Sequence, residues 1–202
     1  MNTHIRTIPR RDIPELGDYE RRRDAIRASA ITARQLHRVA LGPNIILSFE
    51  NRETLTYQVL EMVRAERIVK EPEIRHEIDT YSELLPAPDE LSATMLIEFP
   101  EKGERDVRLV ELLGLDSHLR VELDGAGSAP ATFDRRQIDV ERLSSVQFVR
   151  FCMTQAQVAA LRAGTKLTII SDHPHYPHAS VIPAALTKAL VADLDDVASM
   201  EV

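Results

Sequence analysis

The chain has 202 residues, a formal net charge of −7 and a single cysteine, Cys152. This length suits one domain, the acidic balance argues against a general nucleic-acid-binding protein, and one cysteine excludes an intrachain disulfide. No apolar run reaches the ~18 residues of a membrane helix and residues 1–11 hold no secretory core, so we expect a cytoplasmic protein without a membrane span.

The N-terminal half predicts an extended arm followed by helices around one buried strand. Capping residues, prolines and the period of the apolar residues set the expected boundaries. In chain order, the predicted elements are an arm over 1–17, a helix over 19–39 capped by Asp18, a strand over 45–49, a helix over 52–69 capped by Asn51, and a helix that Pro72 opens and that ends before Pro86.

The C-terminal half alternates short strands and helices. In chain order, we expect a strand over 91–99, a helix over 101–113, strands over 118–124 and 146–153 with a short helix over 134–143 between them, a helix that Thr154 and Gln157 open as a capping box, strands over 166–171 and 179–182, and a terminal helix from Pro183. Polar and apolar residues alternate over 118–124, which is typical of a strand with one face in water. The chain therefore predicts a single α+β domain over 1–202, with a mixed or mainly antiparallel sheet of about 5–6 strands and helices packed against it.

The helix predicted over 52–69 carries the first candidate site. At 100° per residue, Glu66 falls in the middle of its apolar stripe, where a carboxylate needs an ion pair or a ligand. Arg52, Arg67 or an arginine of the first helix could supply the pair, and the strand-to-helix junction before Arg52 could gather charged groups and amides around an anion. The candidate ligand-binding residues are Glu50, Arg52, Gln58, Glu61, Glu66 and Arg67.

A histidine-rich loop is the second candidate site. Residues 172–178 hold three of the seven histidines, and in an extended segment His173 and His175 point to the same side. Asp172, His173, His175 and His178 could bind zinc, iron or nickel. The same histidines and prolines also occur in plain hairpin turns, and a metal-free proton-transfer or ligand-binding role is a third interpretation.

Three sequence blocks resemble one bacterial family of about 200 residues that is known only as a domain of unknown function. The blocks are LGPNIILSFENRETLTYQVLEMVRAERI, ELSATMLIEF and IISDHPHYPHASVI, and the similarity extends over nearly the whole chain. The resemblance implies a prokaryotic cytosolic protein with an accessory role near iron or redox proteins. It carries over no catalytic residues.

Three functional hypotheses follow. The favoured one is a non-catalytic binding or accessory protein, expected as a homodimer that acts beside a redox or iron protein, because the common catalytic motifs are missing. The alternative is a metal-dependent enzyme that joins the histidine loop to Glu50, Glu61 or Glu66. A third is a phosphate or nucleic-acid contact through the arginine-rich first helix, which contains Arg21, Arg22 and Arg23.

Overall fold

A strongly curved antiparallel sheet with helices around it forms the fold. The computed structural model describes residues 6–134 and 141–199, and within these ranges there are eight strands and six α-helices. The strands are β1 (Arg38–Leu41), β2 (Ile45–Phe49), β3 (Glu90–Ile97), β4 (Leu119–Leu123), β5 (Gly127–Phe133), β6 (Val146–Cys152), β7 (Leu167–His173) and β8 (Tyr176–Val181). The helices are α1 (Leu16–Leu36), α2 (Arg52–Ala65), α3 (Glu71–Ser82), α4 (Lys102–Glu111), α5 (Gln155–Arg162) and α6 (Ala184–Ser199).

The sheet is nearly closed into a barrel. Its strand order is β1-β2-β3-β6-β5-β4-β7-β8, and each neighbouring pair is antiparallel. The first and last strands of this order, β1 and β8, contact each other. We call this place, where the barrel closes, the seam. There the Tyr176 hydroxyl donates to the Leu41 carbonyl at 2.8 Å and accepts from the Asn44 and Ile45 amides at 2.8 and 3.1 Å.

The prediction of mixed helix and sheet with mainly antiparallel strands is confirmed, but the expected 5–6 strands are too few. Two strands were not predicted. The helix predicted over 19–39 overlaps the first two residues of β1, and β5 contains Gly127 and Pro130, which are unusual inside strands. Both strands exist because they pair with neighbours, which a local pattern does not reveal.

The buried side chains form two clusters. The larger one fills the inside of the curved sheet and includes residues of α4, α5 and α6. The smaller one lies among α1, α2 and α3, and the N-terminal arm adds Ile8 and Ile13 to it. The Ile8 amide also donates to the Ser82 hydroxyl at 2.9 Å. The arm predicted over 1–17 is therefore anchored from Ile8 onward, contains a short 3-10 helix (Arg10–Asp12), and ends where α1 begins at Leu16.

Helix α2 is shorter than predicted, and this overturns the expected burial of Glu66. The helix ends at Ala65 in a Schellman motif, in which Arg67 is left-handed (φ 53°) and the Ile68 amide donates to the Val63 carbonyl at 2.9 Å. Ile68 turns back into the core, while Val69 is 70% exposed. Glu66 is an exposed C-cap residue, so the helical stripe was extended beyond the real end of the helix.

Other predicted boundaries agree with the structure, differ from it by a few residues, or lie outside the described residues. The Asn51 cap and the capping box of Thr154 and Gln157 are confirmed. Helix α1 begins after Glu15 instead of Asp18. The short helix predicted over 134–143 falls mostly on residues 135–140, which lie outside the described residues. Within the described part of the chain, no helix has the length and apolar character that a bilayer crossing requires.

Candidate functional site

Helices α1, α2 and α6 enclose a cleft of about 610 Å³ on the outside of the sheet. This volume lies in the range of small-molecule sites, roughly 300–1,000 Å³. The cleft is lined by residues of the three helices, by Asn51 before α2 and by Asp12 of the arm. These residues are Asp12, Ile26, Ser29, Ala30, Asn51, Arg52, Glu53, Thr56, Tyr57, Leu60, Ala192, Asp193 and Asp196.

Asn51 sits at the inner end of the cleft, where β2 leads into α2. Its side-chain oxygen accepts from the Thr54 amide at 2.9 Å, and its side-chain nitrogen donates to Asp193 Oδ1 at 3.0 Å. The neighbouring Glu50 is buried, and its two carboxylate oxygens accept from the hydroxyls of Thr54 and Thr94 at 2.8 and 2.7 Å. These bonds compensate for the burial of the Glu50 carboxylate.

His37 is the second buried polar group at the inner end of the cleft, with 4% of its surface exposed. Its Nδ1 faces the Ala33 carbonyl oxygen and its Nε2 faces Asp193 Oδ2, each at 2.7 Å. Both of these partners accept hydrogen bonds, which favours the protonated ring with a donor on each nitrogen, although the Asn51 side-chain nitrogen also lies 3.3 Å from Nε2. Burial lowers the pKa of His37, but the hydrogen bonds to Asp193 and Ala33 outweigh burial and leave the pKa above its usual value.

The cleft combines an acidic rim with an apolar floor. Glu53 accepts from the Ser29 hydroxyl at 2.7 Å, and Asp196 lies 3.7 Å from the Arg52 guanidinium. Arg52 is the one Lys or Arg among the lining residues, which also include four carboxylates: Asp12, Glu53, Asp193 and Asp196. The apolar lining comes from Ile26, Ala30, Leu60 and Ala192. Such a surface favours a positively charged group carried on an apolar body.

The six predicted ligand-binding residues do not form one site. Arg52 lines the cleft, and Glu50 is hydrogen-bonded to Thr54 just inside it. Gln58 is half-buried on α2, while Glu66 and Arg67 are exposed beyond the end of that helix.

Glu61 instead joins α2 to α1. It accepts two hydrogen bonds from the Arg23 guanidinium at 2.8 and 2.7 Å and one from the buried Tyr19 hydroxyl at 2.5 Å. The Arg23 bonds hold the pKa of Glu61 at about 2 despite partial burial. Arg21 pairs with Asp18, so two of the three consecutive arginines of α1 are engaged within the chain.

The histidine-rich loop is the hairpin between β7 and β8. His173 is buried at the end of β7, where its Nε2 donates to the Leu113 carbonyl at 3.1 Å and its Nδ1 accepts from the His175 amide at 3.3 Å. The His178 ring packs on the Tyr176 ring instead, with centroids 4.4 Å apart.

Asp172, the fourth predicted metal ligand, points to the exposed face of the hairpin. It accepts from His118 Nδ1 at 2.8 Å and from the Arg120 guanidinium at 2.5 Å. Among the described residues, no group of three or more His, Cys, Asp or Glu side chains is arranged to hold a metal ion.

The joint site expected between the hairpin and the start of α2 is not assembled. Tyr176, which lies in the hairpin, contacts the Ile45 amide at the start of β2, whereas Glu50 follows the last residue of that strand. A strand rises about 3.3 Å per residue, so these two positions are roughly 16 Å apart. Glu61 and Glu66 lie further along α2, near its C-terminal end.

Two residues at the cleft, His37 and Asp193, were not among the predicted site residues. His37 was placed inside the first helix, and Asp193 was one of several acids in the C-terminal tail. No local pattern links them, because their contact depends on how α6 packs against α1.

The comparisons with known proteins agree with the resemblance noted in the three sequence blocks. A family model described as protein of unknown function (DUF3501) matches residues 7–194. A crystal structure of a novel protein of unknown function from Burkholderia pseudomallei is 33% identical, with a TM-score of 0.86 over 94% of this chain and 100% of the other. The search of curated proteins found no match.

Proposed function

Because the chain belongs to the DUF3501 family of proteins of unknown function, we infer its role from its own residues and propose that it is a non-catalytic binding protein. Its binding site is the cleft between α1, α2 and α6, and its ligand is a basic segment of a partner protein. The protein would then be an accessory protein, and its partner would perform the reaction.

The positions of the two buried ionisable groups beside the cleft, His37 and Glu50, carry this proposal. Both ring nitrogens of His37 and both carboxylate oxygens of Glu50 are engaged by the protein itself. Neither residue lines the cleft, and a general base must lie within hydrogen-bond reach of its substrate, so these two groups support the shape of the cleft instead. A rigid, pre-organised cleft is what a binding site requires.

The charge and polarity of the lining support a basic ligand. A lysine or arginine side chain carries its charge at the end of an apolar stem. The stem can lie on Ile26, Ala30 and Leu60, while the charged end meets the carboxylates of Glu53 and Asp196 at the rim. Glu53 is exposed and Asp196 is half-buried, so both are accessible to a partner.

A titration with n-butylguanidine, which mimics an arginine side chain, tests this proposal. We expect it to shift the amide NMR signals of residues that line the cleft, such as Ser29, Thr56 and Ala192. Butyrate and n-butanol have similar stems without the positive charge, and we expect them to leave these signals nearly unchanged. The double variant Glu53→Gln, Asp196→Asn should weaken the n-butylguanidine shifts several-fold, since two charges at the rim are lost.

A matched control is Glu104→Gln with Glu111→Gln, which removes two acids from α4, a helix that does not line the cleft. These substitutions should leave the titration unchanged. Equal shifts by n-butylguanidine and butyrate, or shifts that survive in the double variant, would show that the cleft does not select a cation and would overturn the proposal.

The identity of the partner is a separate part of the proposal. The family resemblance favours a redox or iron protein, and the expected homodimer would present two clefts. A photo-crosslinker at Thr56, followed by mass spectrometry and direct titration of the captured protein, tests whether the partner is a redox or iron protein. Sedimentation equilibrium tests whether the protein is a homodimer.

A further inference from the structure

We propose that a second site, the groove between α5, β8 and α6, binds a free single-chain amphiphile with a carboxylate head group, such as a medium-chain fatty acid. The groove has a volume of about 420 Å³, within the usual range of small-molecule sites. This inference is independent of the proposed cleft, which lies on another side of α6 and selects the opposite charge.

The walls of the groove are mostly apolar. One face of α6 contributes Ala184, Thr187, Lys188 and Val191, which follow the i, i+3, i+4, i+7 spacing of a helical stripe. Leu161 of α5, together with Val181 and Ile182 at the end of β8, forms the opposite wall. Val181 is 53% exposed, so its side chain is accessible to a ligand in the groove.

The charged residues that line the groove are all cations, in a chain whose net charge is −7. They are Arg162, Lys166 and Lys188. Lys188 forms no ion pair with any residue in the described ranges, and the Lys166 ammonium is 3.9 Å from Asp124. An apolar groove with a cationic rim is complementary to an apolar chain that ends in an anion.

Arg162 lies at the rim of the groove, at the end of α5. It donates to Asp195 of α6 at 2.6 Å, so its guanidinium is held at the rim with further N–H groups still available. The groove also begins at the N-terminus of α6, a helix of 16 residues, and the positive end of its dipole adds to the charge of Lys188, whereas Asp195 and Asp124 partly neutralise Arg162 and Lys166. The head group would lie near Lys188 and the chain would run over Val181, Ile182 and Val191.

Titration of the full chain with decanoate, below the concentration at which it forms micelles, tests this site. We expect NMR shifts confined to residues that line the groove. Decanol, which has a similar chain without the charge, should bind about tenfold more weakly, and decyltrimethylammonium should not compete with decanoate. The exposed charge reversal Lys188→Glu should weaken decanoate about tenfold and leave decanol binding unchanged.

A second variant and a control separate binding from folding. Val191→Asp places a charge in the apolar wall and should abolish binding of both decanoate and decanol, with circular dichroism as the check on folding. Lys102→Glu makes the same charge change on α4, outside the groove, and should leave decanoate binding intact.

Several results would overturn the inference. Equal binding of decanoate and decanol would show that the cations take no part in recognition. Binding to anionic phospholipid vesicles without binding to monomeric decanoate would identify a membrane surface instead. Self-association that Val181→Glu disrupts, with no effect of decanoate on it, would identify a second copy of the chain as the occupant.

Discussion

His37 and Asp193 are 156 positions apart in the chain, yet His37 Nε2 and Asp193 Oδ2 lie 2.7 Å apart. The contact ties the C-terminal helix α6 to the point where α1 ends and β1 begins. The other His37 nitrogen faces the Ala33 carbonyl, and the other Asp193 oxygen accepts from Asn51. An ion pair between buried His37 and half-buried Asp193 thus connects the three helices that form the cleft.

Removing the charge of Asp193 should destabilise the protein. In Asp193→Asn, the His37 imidazolium loses its anionic partner while it stays buried, so we expect the free energy of unfolding to fall by about 2–3 kcal/mol. Urea unfolding measures this change. The control Asp106→Asn breaks the exposed pair with Arg142 and should cost less than about 1 kcal/mol. Equal losses in the two variants would contradict the role given to the buried pair.

The same pair should make stability depend on pH. The pKa of His37 is higher in the folded protein than in the unfolded chain, where it is about 6.5. Folding therefore favours the protonated ring, and this contribution is complete below about pH 6.5 and disappears as the pH rises through the folded pKa. We expect the difference in unfolding free energy between wild type and Asp193→Asn to shrink from about pH 6 to pH 9. A constant difference over that range would show that His37 does not titrate there.

Glu61 and Glu66 provide a matched pair of substitutions at the C-terminal end of α2. Glu61→Gln weakens the bonds to Arg23 and Tyr19, so we expect a loss of about 1.5–3 kcal/mol in urea unfolding. Glu66→Gln changes an exposed C-cap residue and should have an effect within about 0.5 kcal/mol. A larger effect at Glu66 would support the buried carboxylate that the helical pattern suggested.

The acid dependence of the Glu61 contribution has the opposite sign to that of His37. The pKa of Glu61 is about 2 in the folded protein, whereas that of an unperturbed glutamate is 4.5. Its contribution is present above pH 4.5 and is lost as the pH falls toward 2. The difference in unfolding free energy between wild type and Glu61→Gln should therefore shrink over this acid range in urea unfolding. A difference that stays constant would contradict the lowered pKa of Glu61.

Gly42 should tolerate no larger residue, because it lies at the barrel seam. Its φ is +64°, and a Cβ there would come within 2.6 Å of the His178 ring and 2.8 Å of the Tyr176 hydroxyl. Gly42→Ala should lower the unfolding free energy by about 2 kcal/mol or more, from backbone strain and overpacking. Gly125→Ala has similar strain (φ +72°) and open space, so it should cost about 1 kcal/mol. Equal costs would show that packing at the seam is loose.

Tyr176→Phe tests the hydroxyl that bridges the seam. The substitution leaves the Leu41 carbonyl and the amides of Asn44 and Ile45 without this partner, and we expect a loss of about 1–3 kcal/mol. Native-state hydrogen exchange should show faster exchange at Asn44 and Ile45, with little change at the centre of β6. Unchanged protection at these two amides would contradict the seam contact.

Local signals in the sequence determined several elements correctly. The Asn51 cap and the Thr154–Gln157 capping box lie where they were predicted, because both ends of each bond are within three residues. The alternating segment around β4 also agrees, since a period of two residues marks the faces of a strand, and the strand predicted from the apolar run over 45–49 is β2. The broad α+β class follows from such elements.

Only the tertiary structure decided the strand count, the end of α2 and the composition of the cleft. Helix α2 ends early because Ile68 packs into the helical cluster, which forces Arg67 into a left-handed conformation that favours glycine. The short strand β1 exists because β2 pairs with it. His37 and Asp193 meet because α6 returns from the far end of the chain. Sequence periodicity reports contacts a few residues apart, whereas these features depend on which distant segments pack together.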